Sequence, residues 1–175
     1  MTPRSLAGLA LTVTALTVAF VLMVPTAPGL FVGVLTVGAV GFGPFYGQPT
    51  RQLVDRPWRR ETRWRELALR TRTDWLSRQL GAAGWNAAIS RRITGRADLW
   101  RIRSAAVGSL VSHTASAGLH GVAGVALAVA GHPVWGLLAV VLGLVVHAWP
   151  ALLQVSVLGR IDGLQAQLRG NQLLW

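Results

Sequence analysis

Residues 134–158 read VWGLLAVVLGLVVHAWPALLQVSVL, and none of them is Asp, Glu, Lys or Arg. The hydrocarbon core of a bilayer requires about 20 predominantly apolar residues of helix. This stretch is therefore long enough to cross a membrane as one helix. Three further stretches have the same character, at residues 6–24, 30–46 and 105–130. The sequence predicts an all-α, polytopic membrane protein with about four transmembrane helices.

The composition also separates this chain from ordinary soluble domains. Of its 175 residues, 52% are hydrophobic and only 13% are charged, and the mean hydropathy is +0.46. Soluble domains carry about 25% charged residues. Because the chain contains no cysteine, disulfide bonds, thiolate catalysis and thiolate metal ligation are all excluded.

The basic residues predict how the four spans are oriented. All 17 are arginine, against six acidic residues, and the net charge is +11. Arg4 precedes the first span, Arg160 and Arg169 follow the last, and the others lie in residues 47–103. Arginine-rich connections stay on the cytoplasmic side of a membrane. We therefore expect a multi-pass protein of the cell (inner) membrane with both termini in the cytoplasm.

This pattern divides the chain into four parts. They are a transmembrane hairpin (1–46), an arginine- and tryptophan-rich cytoplasmic loop (47–103), a second transmembrane hairpin (104–159) and a cytoplasmic tail (160–175). The first span has an alternative interpretation as a cleaved signal peptide, because Arg4 precedes an apolar run that ends at Pro25. Its apolar run is longer than a signal peptide needs, and the sequence leaves cleavage open.

The long loop is expected to contain amphipathic helices that lie at the membrane interface. An acidic residue stands four positions before an arginine in four places, Asp55–Arg59, Glu61–Arg65, Glu66–Arg70 and Asp74–Arg78. That order stabilises a helix by about 0.2–0.5 kcal/mol per pair. We predict one helix over residues 57–80 and a shorter one over 85–93, each with tryptophan or isoleucine opposite arginine, as interfacial helices have.

The arginines of the loop predict its partners. Those expected to bind anionic lipid headgroups are Arg59, Arg60, Arg63, Arg91 and Arg92. One interpretation is that they only hold the loop in the cytoplasm. The other is that some also bind the phosphate or carboxylate of an acyl donor through the guanidinium fork. Nucleic acid is not expected as a partner, because no aromatic platform or groove-reading motif accompanies the charge.

Three histidines lie inside the predicted spans. His113 and His120 are seven residues apart in the third span and share one helix face, and His147 lies in the fourth. Ionisable side chains within a membrane are costly and often mark a function. His113 is the candidate general base, because histidine titrates near neutral pH. The alternatives are a bis-histidine haem or metal site and plain interhelical hydrogen bonds. No metal or other cofactor is expected, because no carboxylate or thiolate accompanies the histidines.

Two other features of these spans predict packing rather than chemistry. Gly118, Gly121 and Gly124 form a small-residue face on the third span, which favours close approach of another helix. Pro150 lies within the fourth span and predicts a kink there, because proline leaves the carbonyl one turn before it without its helical donor.

Three stretches of the chain carry a family resemblance. The first stretch begins with DRPWRR at Asp55 and extends through Trp75 to Gly84. The second is the start of the third span, with His113. The third is WPALLQ, from Trp149 to Gln154, followed by Arg160. With them the chain resembles the glycosyl-diaponeurosporenoate acyltransferase family, small membrane proteins that attach a fatty acyl group to a sugar hydroxyl of a carotenoid glycoside. The resemblance covers about residues 50–165 and includes the order of two spans, a basic loop and two spans.

The resemblance implies an enzyme that acylates a lipid or glycolipid hydroxyl at the cytoplasmic interface. It implies that His113 is the catalytic base and that the substrate-binding residues are His147, Trp149, Gln154 and Arg160, with an acyl donor as partner. The chain departs from the family at Leu110, where the family has glutamate, at Thr114, where it has tryptophan, and at Ala148, where it has asparagine. Without the glutamate, a non-catalytic membrane subunit or lipid-binding scaffold, held by a membrane protein partner, is the alternative.

Overall fold

The computed structural model describes residues 3–40, 66–68, 70–71, 73–82 and 96–170. All regular structure in these ranges is helical, and the all-α prediction is confirmed for them. The helices are α1 (Pro3–Met23), α2 (Pro28–Val40), α3 (Thr73–Ala82), α4 (Arg96–Val129), α5 (Pro133–Leu142) and α6 (Trp149–Gly170), and a π-helical turn (Gly143–Ala148) joins α5 to α6.

One helix in the described part of the chain, Pro133–Gln165, is long and apolar enough to cross a membrane. It joins α5, the π-helical turn and most of α6 without a break. In its most apolar window only 33% of the residues are buried in the protein, so much of this apolar surface faces outwards. Two shorter apolar helical stretches, Ala10–Met23 and Pro28–Val40, lie in α1 and α2.

Short turns connect the helices within each predicted hairpin. After α1, the amide of Ala27 bonds to the carbonyl of Met23 at 2.6 Å. Pro28 then begins α2, and because the first residue of a helix has no helical acceptor for its N–H, proline loses no hydrogen bond there. After α4, Gly131 has φ of 88°, a left-handed conformation that glycine adopts without strain. The amide of His132 then bonds to the carbonyl of Leu127 at 2.9 Å before α5 begins.

An apolar core joins the first hairpin to α4 and α5. It contains the buried residues Val24, Phe31, Val32, Leu35, Ala123, Leu127 and Ala139. Phe20 of α1 packs edge-on against Phe31 of α2, with ring centroids 5.3 Å apart. Aromatic pairs of this geometry contribute about 0.5–1.5 kcal/mol beyond the area they bury. The two hairpins therefore pack together through side chains from four helices.

The close approach of α4 to α5 depends on one of the three predicted glycines. A Cβ at Gly124 would lie 2.8 Å from the carbonyl oxygen of Gly136, and a Cβ at Gly136 would lie 2.5 Å from that of Gly124. At Gly118 and Gly121 an added Cβ would meet nothing within 4 Å. The prediction of a three-glycine contact face was therefore wrong for Gly118 and Gly121, because the contact needs a glycine only where the two backbones touch.

The predicted helix over residues 57–80 is interrupted within the described residues. Thr71 lies in a turn, and α3 begins at Thr73 and continues through Gly81 to Ala82. The hydroxyls of Thr71 and Thr73 bond to the carbonyl of Ala68 at 3.2 and 2.9 Å. These side-chain bonds compete with the helical backbone bonds and explain the break, which charge spacing alone does not reveal.

Other predictions for the loop fall on residues outside the described ranges. These are the helix over residues 85–93 and the headgroup-binding arginines Arg59, Arg60, Arg63, Arg91 and Arg92. The C-terminal part of the loop is described, and it is already helical, because α4 begins at Arg96. The helix that contains the predicted fourth span likewise continues through the predicted tail as far as Gly170.

Candidate functional site

The three histidines of the predicted spans lie together between α4 and the π-helical turn. His147 is in contact with both of the others: its ring centroid is 5.6 Å from that of His113 and 4.9 Å from that of His120. His120 and His147 are buried, at 0% and 1% relative exposure, and His113 is half-buried. We call His113, His120 and His147 the histidine cluster.

His113 and His147 are joined through their ring nitrogens. The Nδ1 atoms are 3.3 Å apart, which is hydrogen-bond distance for a nitrogen donor and a nitrogen acceptor. Two neutral imidazoles make such a bond only if one carries its proton on Nδ1 and the other has its lone pair there. The contact therefore fixes the tautomer of one ring relative to that of the other.

His120 is held at both ring nitrogens. Its Nδ1 lies 2.9 Å from the carbonyl oxygen of Ser116, and because a carbonyl only accepts, Nδ1 carries the proton. Its Nε2 lies 3.2 Å from the hydroxyl of Thr36 on α2. The Thr36 hydroxyl is also 2.9 Å from the carbonyl of Val32, so its single proton is shared between these two acceptors when His120 is neutral. His120 thus connects α4 to the first hairpin.

The π-helical turn sets the position of His147. The turn covers Gly143–Ala148, and the amide of Trp149 bonds to the carbonyl of Leu144, five residues before it. The wider turn ends just before Pro150, whose ring cannot donate to a helical carbonyl. The helix continues through Pro150, and the π-helical turn lies just before it, while the kink expected at Pro150 stays a prediction.

Two buried polar atoms near the cluster have no hydrogen-bond partner in the described part of the chain. They are Nε2 of His147 and the hydroxyl of Thr114, the residue that follows His113. Such atoms are uncommon in folded proteins, because each costs about 1–3 kcal/mol when it is left unpaired. The cluster therefore contains one buried ring nitrogen, Nε2 of His147, that no described residue satisfies.

The remaining predicted site residues lie apart from the cluster. Gln154 and Arg160 follow His147 by seven and thirteen residues, or about 10 and 20 Å along a helix at 1.5 Å per residue. Trp149 contacts the central loop instead. Its indole N–H donates to the carbonyl of Thr71 at 3.1 Å, and its ring stacks on Trp75 of α3 with centroids 5.7 Å apart. The structure brings His113 and His147 together, and leaves Gln154, Arg160 and Trp149 outside the cluster.

An ion pair ties α4 to α6 on the side of the cluster nearer the loop. Nε of Arg103 lies 3.4 Å from Oδ1 of Asp162. His113 follows Arg103 by ten residues, about 15 Å along the helix axis. No charged residue lies between Arg103 and Arg160, so the histidines are the ionisable groups of this segment.

The cluster does not fit the haem alternative. Axial histidines stand on opposite faces of a haem, about 4 Å apart at metal–nitrogen distances of about 2 Å, with the macrocycle between them. The direct 3.3 Å contact between His113 and His147 leaves no gap for a macrocycle. Among the described residues, no three His, Cys, Asp or Glu side chains are grouped so that they could hold a metal ion.

Two apolar crevices flank α1. Their volumes are about 280 and 530 Å³, and their walls come from α1, α2 and α4, with Thr12, Leu16 and Leu119 common to both. No histidine lines either crevice. The hydroxyls of Thr12 and Thr17, which lie in these walls, bond to carbonyls of their own helix at 2.8 and 2.9 Å.

Comparison of the chain with protein-family models, curated proteins and solved structures finds no match. The geometry of the site is therefore the basis for its functional interpretation. Sequence reasoning placed His120 beside His113 but did not predict its contact with Thr36. The sequence feature that could have indicated this pair is Thr36, a polar residue in an otherwise apolar stretch of the predicted second span.

Proposed function

We propose that this chain is a polytopic protein of the inner membrane that transfers an acyl group to a lipid or glycolipid hydroxyl. The observation that carries the proposal is the 3.3 Å contact between the Nδ1 atoms of His113 and His147. A catalytic histidine needs a partner that fixes its tautomer and orientation, as a carboxylate does in serine hydrolases. His147 supplies this partner where the chain has Leu110 in place of a glutamate.

The membrane location is supported by the outward faces of the helices. Several large apolar side chains are exposed in the isolated chain, among them Val37, Val122, Val129, Val134 and Leu137. Exposed apolar surface on this scale is typical of a protein that contacts lipid. With four spans and the arginines on one side, both termini and the loop lie in the cytoplasm.

In the proposed reaction His113 acts first as a base and then as an acid. Nε2 of His113 takes the proton of the acceptor hydroxyl while the oxygen forms a bond to the acyl carbonyl carbon. The bond from that carbon to the leaving group, a thiolate or an alkoxide of the donor, breaks, and the leaving group takes the proton from His113. His147 accepts a hydrogen bond from the Nδ1–H of His113 throughout and stabilises the imidazolium.

The donor and acceptor are gathered by residues nearer the loop. In this proposal Gln154 and Arg160 bind the donor headgroup, and the loop arginines Arg59, Arg60, Arg63, Arg91 and Arg92 attract anionic lipid and donor to the surface. The distance from Arg160 to the cluster, about 20 Å along the helix, suits an extended substrate whose reacting carbonyl reaches into the bundle.

The proposal is tested with purified protein in liposomes that contain a long-chain alkyl glucoside and receive radiolabelled acyl-coenzyme A. We expect label in the glucoside lipid, and a loss of about 100-fold or more in His113→Ala, the usual range for removal of a general base. His132→Ala is the matched control, because His132 lies in the turn between α4 and α5. Transfer no faster than in protein-free liposomes, or equal rates in wild type and His113→Ala, would overturn the proposal.

A second candidate function, a non-catalytic subunit or lipid-binding scaffold, is favoured by a different observation. His113 is about 15 Å along α4 from Arg103, and half of a bilayer core is also about 15 Å thick. At that depth the cluster can serve as a polar contact between helices alone. Co-purification with one membrane protein in a fixed ratio, together with the absence of acyl transfer, identifies this function.

A further inference from the structure

His120 contacts His147 by packing alone. The ring centroids are 4.9 Å apart with 49° between the planes, and both side chains are almost completely buried. Unlike His147, His120 is bonded at both nitrogens, to Ser116 on its own helix and to Thr36 on α2. Its ring is therefore a fixed surface against which the His147 ring lies.

The backbone of the π-helical turn also lies against His120. A Cβ added at Gly143 would lie 2.6 Å from the Cβ of His120 and 3.3 Å from its Cγ. Real Cβ atoms essentially never approach so closely, so the turn can pass His120 at this distance only with glycine at position 143. Gly143 and His147 are four residues apart and both face His120.

In the described part of the chain, one hydrogen bond holds the ring of His147. Rotation of a histidine ring about its Cβ–Cγ bond has a broad energy profile, so one hydrogen bond leaves the ring angle loosely defined. The Nδ1 contact with His113 is that one bond, and Nε2 has no partner among the described residues. The neighbouring His120 ring then limits the range of angles that His147 can adopt.

From these contacts we infer that His120 is a positioning residue: bonded to Thr36 and Ser116, it holds His147 at the angle that makes the hydrogen bond to His113. This inference rests on the proposed function for its catalytic consequence. The hydrogen bond itself is independent of that function and can be measured separately. Thr36 extends the site to α2, so the first hairpin contributes to the geometry of the histidine cluster.

The test uses variants that act on His120 from different sides. His120→Phe keeps a ring but loses both hydrogen bonds, Gly143→Ala pushes on His120 from the turn, and Thr36→Val removes one bond with little change in volume. Gly118→Ala is the matched control on α4, because its Cβ would meet nothing within 4 Å. The protein, labelled with ¹⁵N-histidine in bilayers, is examined by NMR for a correlation across the His113–His147 hydrogen bond.

We expect the nitrogen–nitrogen correlation to be lost or weakened in His120→Phe, Gly143→Ala and Thr36→Val, and to be retained in Gly118→Ala. Helical content, measured by circular dichroism, identifies any variant that fails to fold, and Thr36→Val is the variant closest in shape to wild type. In the acyl-transfer assay, kcat falls by up to about 100-fold, as expected for a misplaced catalytic group, while KM changes little.

The positioning role of His120 and the proposed acyl-transfer function can each be contradicted without the other. An unchanged correlation in all folded variants would overturn the positioning role, whatever the enzymatic result. A correlation that depends on His120 in a protein without acyl transfer would leave the positioning role in place and overturn the proposed function. Equal losses of kcat in Gly118→Ala and Gly143→Ala would also contradict the inference, because only Gly143 contacts His120.

Discussion

The Nδ1 atoms of His113 and His147 lie 3.3 Å apart although 34 residues separate them in the chain. The turn between α4 and α5 explains this proximity. His113 precedes Gly131 by 18 residues and His147 follows it by 16, so antiparallel helices bring both to nearly the same level. A pair at matching depth follows from the hairpin, and His147 makes its direct contact with His113 from within the π-helical turn.

The contact between Gly124 and Gly136 predicts opposite effects for two similar substitutions. Gly136→Ala places a Cβ 2.5 Å from a backbone oxygen, and overpacking of this kind costs about 1–3 kcal/mol. Gly121→Ala meets open space and reduces the freedom of the unfolded chain, so it stabilises by about 0.5–1 kcal/mol. Thermal unfolding in detergent should give a lower melting temperature for Gly136→Ala than for wild type, and a melting temperature for Gly121→Ala that equals or exceeds that of wild type. A lower melting temperature for Gly121→Ala than for Gly136→Ala would contradict the close approach of α4 to α5.

The stacked rings of Trp75 and Trp149 predict that α3 is held on α6 by aromatic contact. Trp75→Ala removes a stacking interaction with Trp149 of about 0.5–1.5 kcal/mol. Hydrogen–deuterium exchange of the amides of α3 should therefore become faster. Trp100→Ala is the control, because Trp100 is 64% exposed. Equal exchange rates in Trp75→Ala and wild type would show that α3 is held by other contacts.

The absence of cysteine makes the proposed membrane topology directly testable. Single-cysteine variants at Thr26 and Ala130 place a thiol in the turns that follow α1 and α4, and Gly163→Cys places one on the predicted cytoplasmic side of α6. In intact cells a membrane-impermeant maleimide should label the first two and not the third. After the cells are opened it should label all three. Labelling of Gly163→Cys in intact cells, or protection of Thr26→Cys, would contradict four spans with both termini in the cytoplasm.

The sequence predicted the helical fold, because long apolar stretches determine it. It placed His113 and His147 in consecutive predicted spans, but it left their direct contact undecided. It did not predict the break at Thr71, because side-chain bonds to the carbonyl of Ala68 override a favourable charge spacing. The sequence also did not predict that Trp149 stacks on Trp75 of α3, because a family resemblance does not show which residues pack against a loop.

The pairing of His120 with Thr36 illustrates a further limit of sequence reasoning. The two residues belong to different hairpins, and no turn fixes the level of one hairpin against the other. Their contact depends on how α2 packs against α4, which is decided by the shapes of buried side chains such as Leu35 and Leu127. Apolar stretches indicate that a helix crosses the membrane, but they do not indicate which of its faces meets another helix.

The measurement that tests this account most directly is NMR of the wild-type protein in bilayers with ¹⁵N-labelled histidine. The chain has only four histidines, so the ring nitrogens can be assigned from single substitutions. We predict one correlation across a hydrogen bond, between the Nδ1 atoms of His113 and His147, and its loss in His147→Phe. Ring-nitrogen spectra in which His113 and His147 show no mutual correlation, and in which His147→Phe leaves the His113 signals unchanged, would contradict the account.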